Sequence, residues 1–262
     1  MTIRKKTAPN GTRVYYIDGT PHPSVTTVLG IVGGKGLINW AVKETADYLE
    51  LELSRAKPYE VKFLLPDIIQ TARNRHHHLR NAGGARGTDL HKIAETVFRG
   101  KKVPENRLED PVVDRMVEKL VAWRDEWGFE TLTYADDLGI EKETVEIPVY
   151  SKEHGFAGTA DLIGRSSEGT LMLLDLKTGK SVHKTMALQM AAYAHAYGEM
   201  TSEYDEDGNY IEGSGQYPEL CMVLHVLPTG NVKEKHILDA PACELHFQKF
   251  LNILEFYKWY VQ

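Results

Sequence analysis

Thr170-Leu171-Met172-Leu173-Leu174-Asp175-Leu176-Lys177 is an apolar run that ends in an acid, a leucine and a lysine. Upstream, Phe156–Gly164 has the same strand-like character, and Arg165-Ser166-Ser167-Glu168-Gly169 carries the turn residues between the two. The pair reads as a hairpin. Side chains alternate along a strand, so Asp175 and Lys177 share one face while Leu174 and Leu176 share the other. The connection 165–169 pairs Gly164 with Thr170, and a slip of one or two residues brings Asp161 opposite or diagonal to Asp175. Two carboxylates that close repel each other, and a carboxylate in an apolar strand is costly unless paired. A divalent cation between them removes both objections, which makes the hairpin a candidate metal site. Alternating charges on a strand are more often a solvated face. This strand is too apolar for an exposed edge, and its acid partner lies on the neighbouring strand.

Working outward, the opening predicts a short hairpin over Thr12–Gly19 leading to a Ser24-capped turn or helix. Helical patterns follow at about Leu37–Arg55, Pro58–Asn81, Ala85–Arg99 and Pro111–Trp127, with Gly83-Gly84 and Gly100 as breaks. Strands are expected at Phe129–Tyr134, Glu143–Tyr150, Phe156–Gly164 and Thr170–Lys177. A helix over Val182–Met200, strands at Tyr217–Leu227 and Asn231–Leu238, and a closing helix over Pro241–Tyr260 complete the chain. This order indicates an α/β or α+β fold with a mixed sheet flanked by helices. We expect a single domain over 1–262, with 1–128 mainly helical and 129–262 carrying the sheet core and C-terminal helix.

The chain has 262 residues, enough for a substantial core. No run approaches the roughly 18–20 apolar residues that span a bilayer, and no hydrophobic signal segment follows the basic start, so a cytoplasmic location is expected. Cys221 and Cys243 are the only cysteines and are expected to be reduced; a four-cysteine iron–sulfur cluster is excluded. The formal net charge of −6 argues against indiscriminate coating of nucleic acid. Between Arg73 and Lys102, however, eight cations face only Asp89 and Glu95, a local balance suited equally to phosphate binding and to a solvated helical face. Gly30–Gly36 is one residue short of a phosphate loop and has glycine where Ser or Thr should hold magnesium, so no nucleotide site is expected. Glu203–Glu212 lacks the offsets of a calcium loop. His76-His77-His78 is adjacent in sequence, so its rings diverge on a helix and fit a solvated surface better than a metal site.

Two further pieces are weak alone. His91 and Glu95 share a helix face, and Gln189 and Tyr193 share a face of the helix after the Asp175–Lys177 strand. In order, Gly87-x-x-x-His91, Gly158-Thr159-Ala160-Asp161, Asp175-Leu176-Lys177 and Gln189-x-x-x-Tyr193 resemble the RecB-like branch of the PD-(D/E)xK nuclease superfamily. That branch includes phage exonucleases, the mitochondrial genome-maintenance exonuclease and CRISPR-adaptation nucleases. Ser24–Leu29 with Trp40 also looks like its phage members.

The resemblance implies a restriction-endonuclease-like core and supplies roles. Asp161 and Asp175 correspond to carboxylate ligands of magnesium or manganese, as one ion or two. His91 corresponds to an added ligand, Leu176 to a backbone-carbonyl ligand and Lys177 to the catalytic lysine. Gln189 and Tyr193 correspond to the branch's last motif, which lies beside the site and helps hold DNA or the catalytic strand. Glu146 is a further metal-ligand candidate, with Glu141 and Glu143 competing for that place. Arg86, Lys92, Thr178 and Lys180 are candidate DNA contacts. Hard oxygen donors favour magnesium, and an added histidine tolerates manganese. The implied activity is a metal-dependent DNA exonuclease of phage recombination, repair or replication, acting on single-stranded or duplex ends, with phage recombination or replication proteins as partners. The alternatives are an inactive DNA-binding relative or nuclease subunit, and a restriction-type endonuclease. The latter usually needs a target-recognition region, and none is evident in the sequence.

Overall fold

Apolar content in the second half alternates or runs continuously over short stretches, and these become the strands of one sheet. In the computed structural model the described residues are 3–7, 13–101, 111–135, 139–203 and 214–261. Of residues 33–38, 80–83, 85, 86 and 135 only the backbone is described. The order is β1 (Ile3–Thr7), β2 (Arg13–Ile17), β3 (Thr20–Pro23), α1 (Val25–Arg55), α2 (Val61–Phe98), α3 (Pro111–Trp127), β4 (Glu130–Thr131), β5 (Thr133–Ala135), β6 (Glu141–Glu143), β7 (Val145–Ser151), β8 (Phe156–Arg165), β9 (Leu171–Lys177), α4 (Thr185–Met200), β10 (Leu220–Val226), β11 (Val232–Asp239) and α5 (Ala240–Val261).

The chain divides into two compact units, Val32–Thr88 and Met1–Ile31 with Asp89–Gln262. In the first, Thr45 Oγ1 donates to the Ala72 carbonyl at 3.3 Å and the Arg75 guanidinium lies 4.8 Å from the Tyr48 ring centroid. The second unit holds the mixed sheet, ordered β11-β10-β9-β8-β4, with β7 also pairing β8. The β9–β10 pair is parallel and the other ladders of the sheet are antiparallel, so α4 is the crossover of a βαβ unit.

Central placement of β9 explains its apolar sequence. Leu171 and Leu173 face a core with α4 and α5, whereas Met172, Leu174 and Leu176 face a core with α2 and α3. Cys221 and Cys243 are both free thiols, buried, with their sulfurs 3.8 Å apart.

Several expected boundaries are corrected. Pro58–Asn81 and Ala85–Arg99 form the single helix α2, since a glycine pair costs only about 1 kcal/mol per residue and does not by itself stop a long helix. The region read as the strand Phe129–Tyr134 is two short strands: β4 pairs β8, while β5 makes a separate hairpin with β6. The strand expected over Glu143–Tyr150 breaks at Thr144, whose hydroxyl is tied to Leu132 and Ile163. Residues 204–213, most of the acidic segment, lie outside the described residues.

Candidate metal centre

The β8–β9 ladder pairs Arg165 with Leu171, Gly164 with Met172, Ile163 with Leu173 and Leu162 with Leu174. One step further in the same register, Asp161 falls across from Asp175, the larger of the two slips considered above. Beyond that point β8 continues against β7, and β9 continues against β10, with Asp175 beside Val223 and Lys177 beside His225. In the fork, the Leu176 N–H donates to Asp161 Oδ2 at 2.8 Å, so a carboxylate takes over where the ladder ends.

Helix α2 brings His91 to the same fork. Its Nε2 lies 3.1 Å from the Leu176 carbonyl oxygen, and its Nδ1 lies 3.5 Å from Glu146 Oε1 and 3.7 Å from Asp161 Oδ2. Ligand atoms of His91, Glu146 and Asp161 all lie within 4.8 Å of one another. Glu146 has φ +52, the left-handed region, inside β7 and between the buried Val145 and Ile147. A non-glycine residue there costs about 1–3 kcal/mol, a strain that clusters at working sites. The competing acids are placed elsewhere: Glu143 accepts from Arg99 Nη1 at 2.8 Å, and Glu141 is exposed on β6.

Asp175 is 1% exposed. Its Oδ1 accepts from Gln189 Nε2 at 3.1 Å, and its Oδ2 pairs with the Lys177 ammonium. Lys177 Nζ also donates to the Leu176 carbonyl at 3.2 Å. A positive group thus already sits where a buried carboxylate and a backbone carbonyl converge. With Asp161, Glu146 and one imidazole alongside, the donor set fits a hard divalent ion that tolerates nitrogen.

The electrostatics follow from crowding three acids. Burial, then the neighbouring Asp175, pushes the Asp161 carboxyl from 3.8 up to about 6, with Lys177 and His91 opposing. Burial alone would lower His91, but Glu146 and Asp161 outweigh it and hold the imidazole above its ordinary value. Burial likewise works against the Lys177 charge, yet Asp175 and Asp161 keep its pKa raised.

Tyr193 is buried on α4, with its hydroxyl 3.4 Å from Gln189 Nε2. Its ring fills the space beside Gly158, where an added Cβ would come within 2.2 Å of Tyr193 Cε1. That contact explains the glycine of the Gly158–Asp161 motif. Gly158→Ala is expected to displace Tyr193 and Gln189 and lower stability by about 1–3 kcal/mol. A urea midpoint equal to that of the parent protein would refute this close packing.

Of the other candidates, Lys92 is exposed on α2, Thr178 is half-buried and Lys180 is exposed after β9. This last segment is fixed by His225, whose Nε2 lies 2.6 Å from the Gly179 carbonyl oxygen. Arg86 lies in α2, and its side chain is outside the described residues. Among the described residues, His76, His77 and His78 form no three-ligand group with one another. A support not foreseen is Tyr15, 1% exposed on β2, whose hydroxyl is 2.8 Å from Thr159 Oγ1.

No curated protein matches the sequence. A solved structure titled "Crystal structure of SSO0001" is similar at 13% identity over 81% of this chain and 82% of that chain, with a TM-score of 0.28. The family model described as the PD-(D/E)XK nuclease superfamily matches residues 61–236, which contain the His91, Glu146, Asp161 and Asp175–Lys177 cluster, and the chain belongs to that superfamily.

Proposed function

We propose that the chain is a magnesium- or manganese-dependent deoxyribonuclease of the RecB-like branch. It digests DNA from ends, in phage-type recombination, repair or replication. The observation that carries this reading is the convergence of His91, Glu146 and Asp161 beside the Leu176 carbonyl, one strand from Asp175.

These five groups would hold the ion or ions. When bound, a divalent ion in such ligands neutralises phosphate charge and makes a water acidic enough to attack at neutral pH. Gln189 holds the Asp175 carboxylate, and the Leu176 N–H holds that of Asp161, so both acids are fixed before substrate arrives. Lys177 supplies a cation and donors beside them, placed to hold the attacking water and the developing charge on phosphate. Lys92, Thr178 and Lys180 contact the DNA strand. Tyr193 acts from behind, packing Gln189 rather than touching DNA. Exonuclease action is preferred to restriction-type cleavage because the latter usually needs a target-recognition region and the sequence shows no evident one.

Digestion of end-labelled linear and of circular DNA with magnesium, manganese or EDTA tests this. The expected result is metal-dependent loss of linear DNA with circular DNA intact. Cutting of circles would favour an endonuclease, and intact DNA under every metal condition would overturn the enzyme reading.

A further inference from the structure

Glu146, Asp161 and Asp175 crowd one fork, where His91 and Lys177 are their ion-pair partners among the described residues. Such a centre repels a polyanion, and metal at the reacting phosphate does nothing for the phosphates on either side. These must be held by cations from outside the centre.

The N-terminal sheet supplies them. Strands β1 and β2 pair antiparallel, with Lys5 opposite Tyr15, Thr7 opposite Arg13, Arg4 opposite Tyr16 and Lys6 opposite Val14. Directly opposed residues project to the same side of a sheet. Lys5, Arg13 and Tyr15 therefore share one face, and Arg4, Lys6 and Tyr16 share the other. The first face is turned to the core. Tyr15 and Ile17 pack with Tyr150 and Ala157, and the Tyr15 hydroxyl meets Thr159, two residues before Asp161 on β8. Thr27 Oγ1 donates to the Arg13 carbonyl at 3.3 Å, tying this end of β2 to the first turn of α1.

Lys5 and Arg13 flank the Tyr15 anchor, and both side chains are exposed. The Lys5 amine is lowered by partial burial and then by the Arg13 charge, with Glu146 opposing. The strands hold Arg4, Lys5, Lys6 and Arg13 with no acid among residues 3–7 and 13–17. On the opposite face the Lys6 ammonium is folded over the Tyr16 ring, 4.9 Å from its centroid. Two clustered cations beside an acidic metal centre, on a sheet pinned two residues from a ligand, have the arrangement of a phosphate rim.

We propose that the N-terminal sheet is a backbone clamp, in which Lys5 and Arg13 bind the nucleic-acid phosphates flanking the one that reacts at the Asp161–Asp175 centre. The clamp rests on the nuclease reading and extends it to a binding site on a different element.

The test compares two double variants of equal charge change. Lys5→Gln with Arg13→Gln removes the clamp face, and Arg4→Gln with Lys6→Gln removes the opposite face. Binding of a labelled single-stranded oligonucleotide is followed by fluorescence anisotropy in calcium across a salt series, with hydrolysis in magnesium measured alongside. Removing the clamp face is expected to weaken binding about ten-fold or more and to flatten the slope of log K against log salt by about 1.4, two phosphate contacts on a single strand. The opposite-face variant should change both much less, and unchanged melting of both proteins excludes a folding defect. Equal losses from the two faces, or none from either in a protein that still cuts, overturn the clamp and leave the nuclease reading standing. A parent protein that neither binds nor cuts overturns both.

Discussion

Lys177→Ala is expected to remove metal-dependent hydrolysis, by roughly 10²–10⁴-fold, and to destabilise the metal-free protein by about 3–5 kcal/mol. The two losses have one origin. Asp175 is 1% exposed, and its carboxylate is held by Gln189 on one oxygen and by the Lys177 ammonium on the other. Removing the ammonium leaves a buried charge with one neutral donor and with Asp161 across the fork. Breaking a buried pair from one side is far more damaging than never having made it. A divalent ion should substitute for the lost charge, so magnesium or manganese should raise the urea midpoint of the variant more than that of the parent. Lys177→Met keeps the aliphatic stem and should behave alike, which separates lost charge from lost packing. A variant that melts like the parent without metal would show that Asp175 does not depend on this cation. A variant that is destabilised yet cuts at the parental rate would make Lys177 a structural counter-ion alone.

The hairpin was legible because β9 is both central and interrupted. A strand with cores on both faces reads as a continuous apolar run, so a single acid within it stands out, and strand alternation then fixes which residues share its side. The register was legible to within a slip of two residues, since turn residues bound a loop but do not choose its pairing. Glu146 could be named but not separated from Glu141 and Glu143. What separates them is the break at Thr144 and the left-handed backbone at Glu146, both products of tertiary packing that leave no local mark on the sequence. The glycine pair in α2 misled for the complementary reason: local propensity disfavours a helix there by an amount that the rest of a long helix can offset. Tyr15 was hidden because its partner, Thr159, lies 144 residues away, and nothing in either segment announces the contact.

Asp161→Asn should act in opposite directions on function and stability. The side chain keeps its size and an oxygen for the Leu176 N–H, so the fork should stay closed. What disappears is a charge that the fold holds at a penalty, because burial and Asp175 raise the carboxyl from 3.8 to about 6. A carboxyl with a raised pKa stabilises the fold while protonated, so its contribution is full below 3.8 and is lost as pH rises through about 6. Above that pH the metal-free variant should therefore be more stable than the parent, by at most about 3 kcal/mol, the free-energy equivalent of the pKa difference. Below pH 4 the two should converge. Metal binding carries the opposite sign. The parent must give up the Asp161 proton to take a divalent ion, so its affinity should fall as pH drops through about 6, while the variant should bind weakly at every pH. Hydrolysis should fall on the order of a thousandfold or more, the cost of losing several kcal/mol of charge stabilisation at the reacting phosphate. Urea titrations of parent and variant at pH 5 and 7.5, each with and without manganese, read the stability and metal-binding effects, and cleavage of end-labelled DNA reads the third. A variant less stable than the parent at pH 7.5 without metal would mean that the carboxylate's bond to Leu176 outweighs its repulsion from Asp175. The fork would then be held together by the acid rather than strained by it.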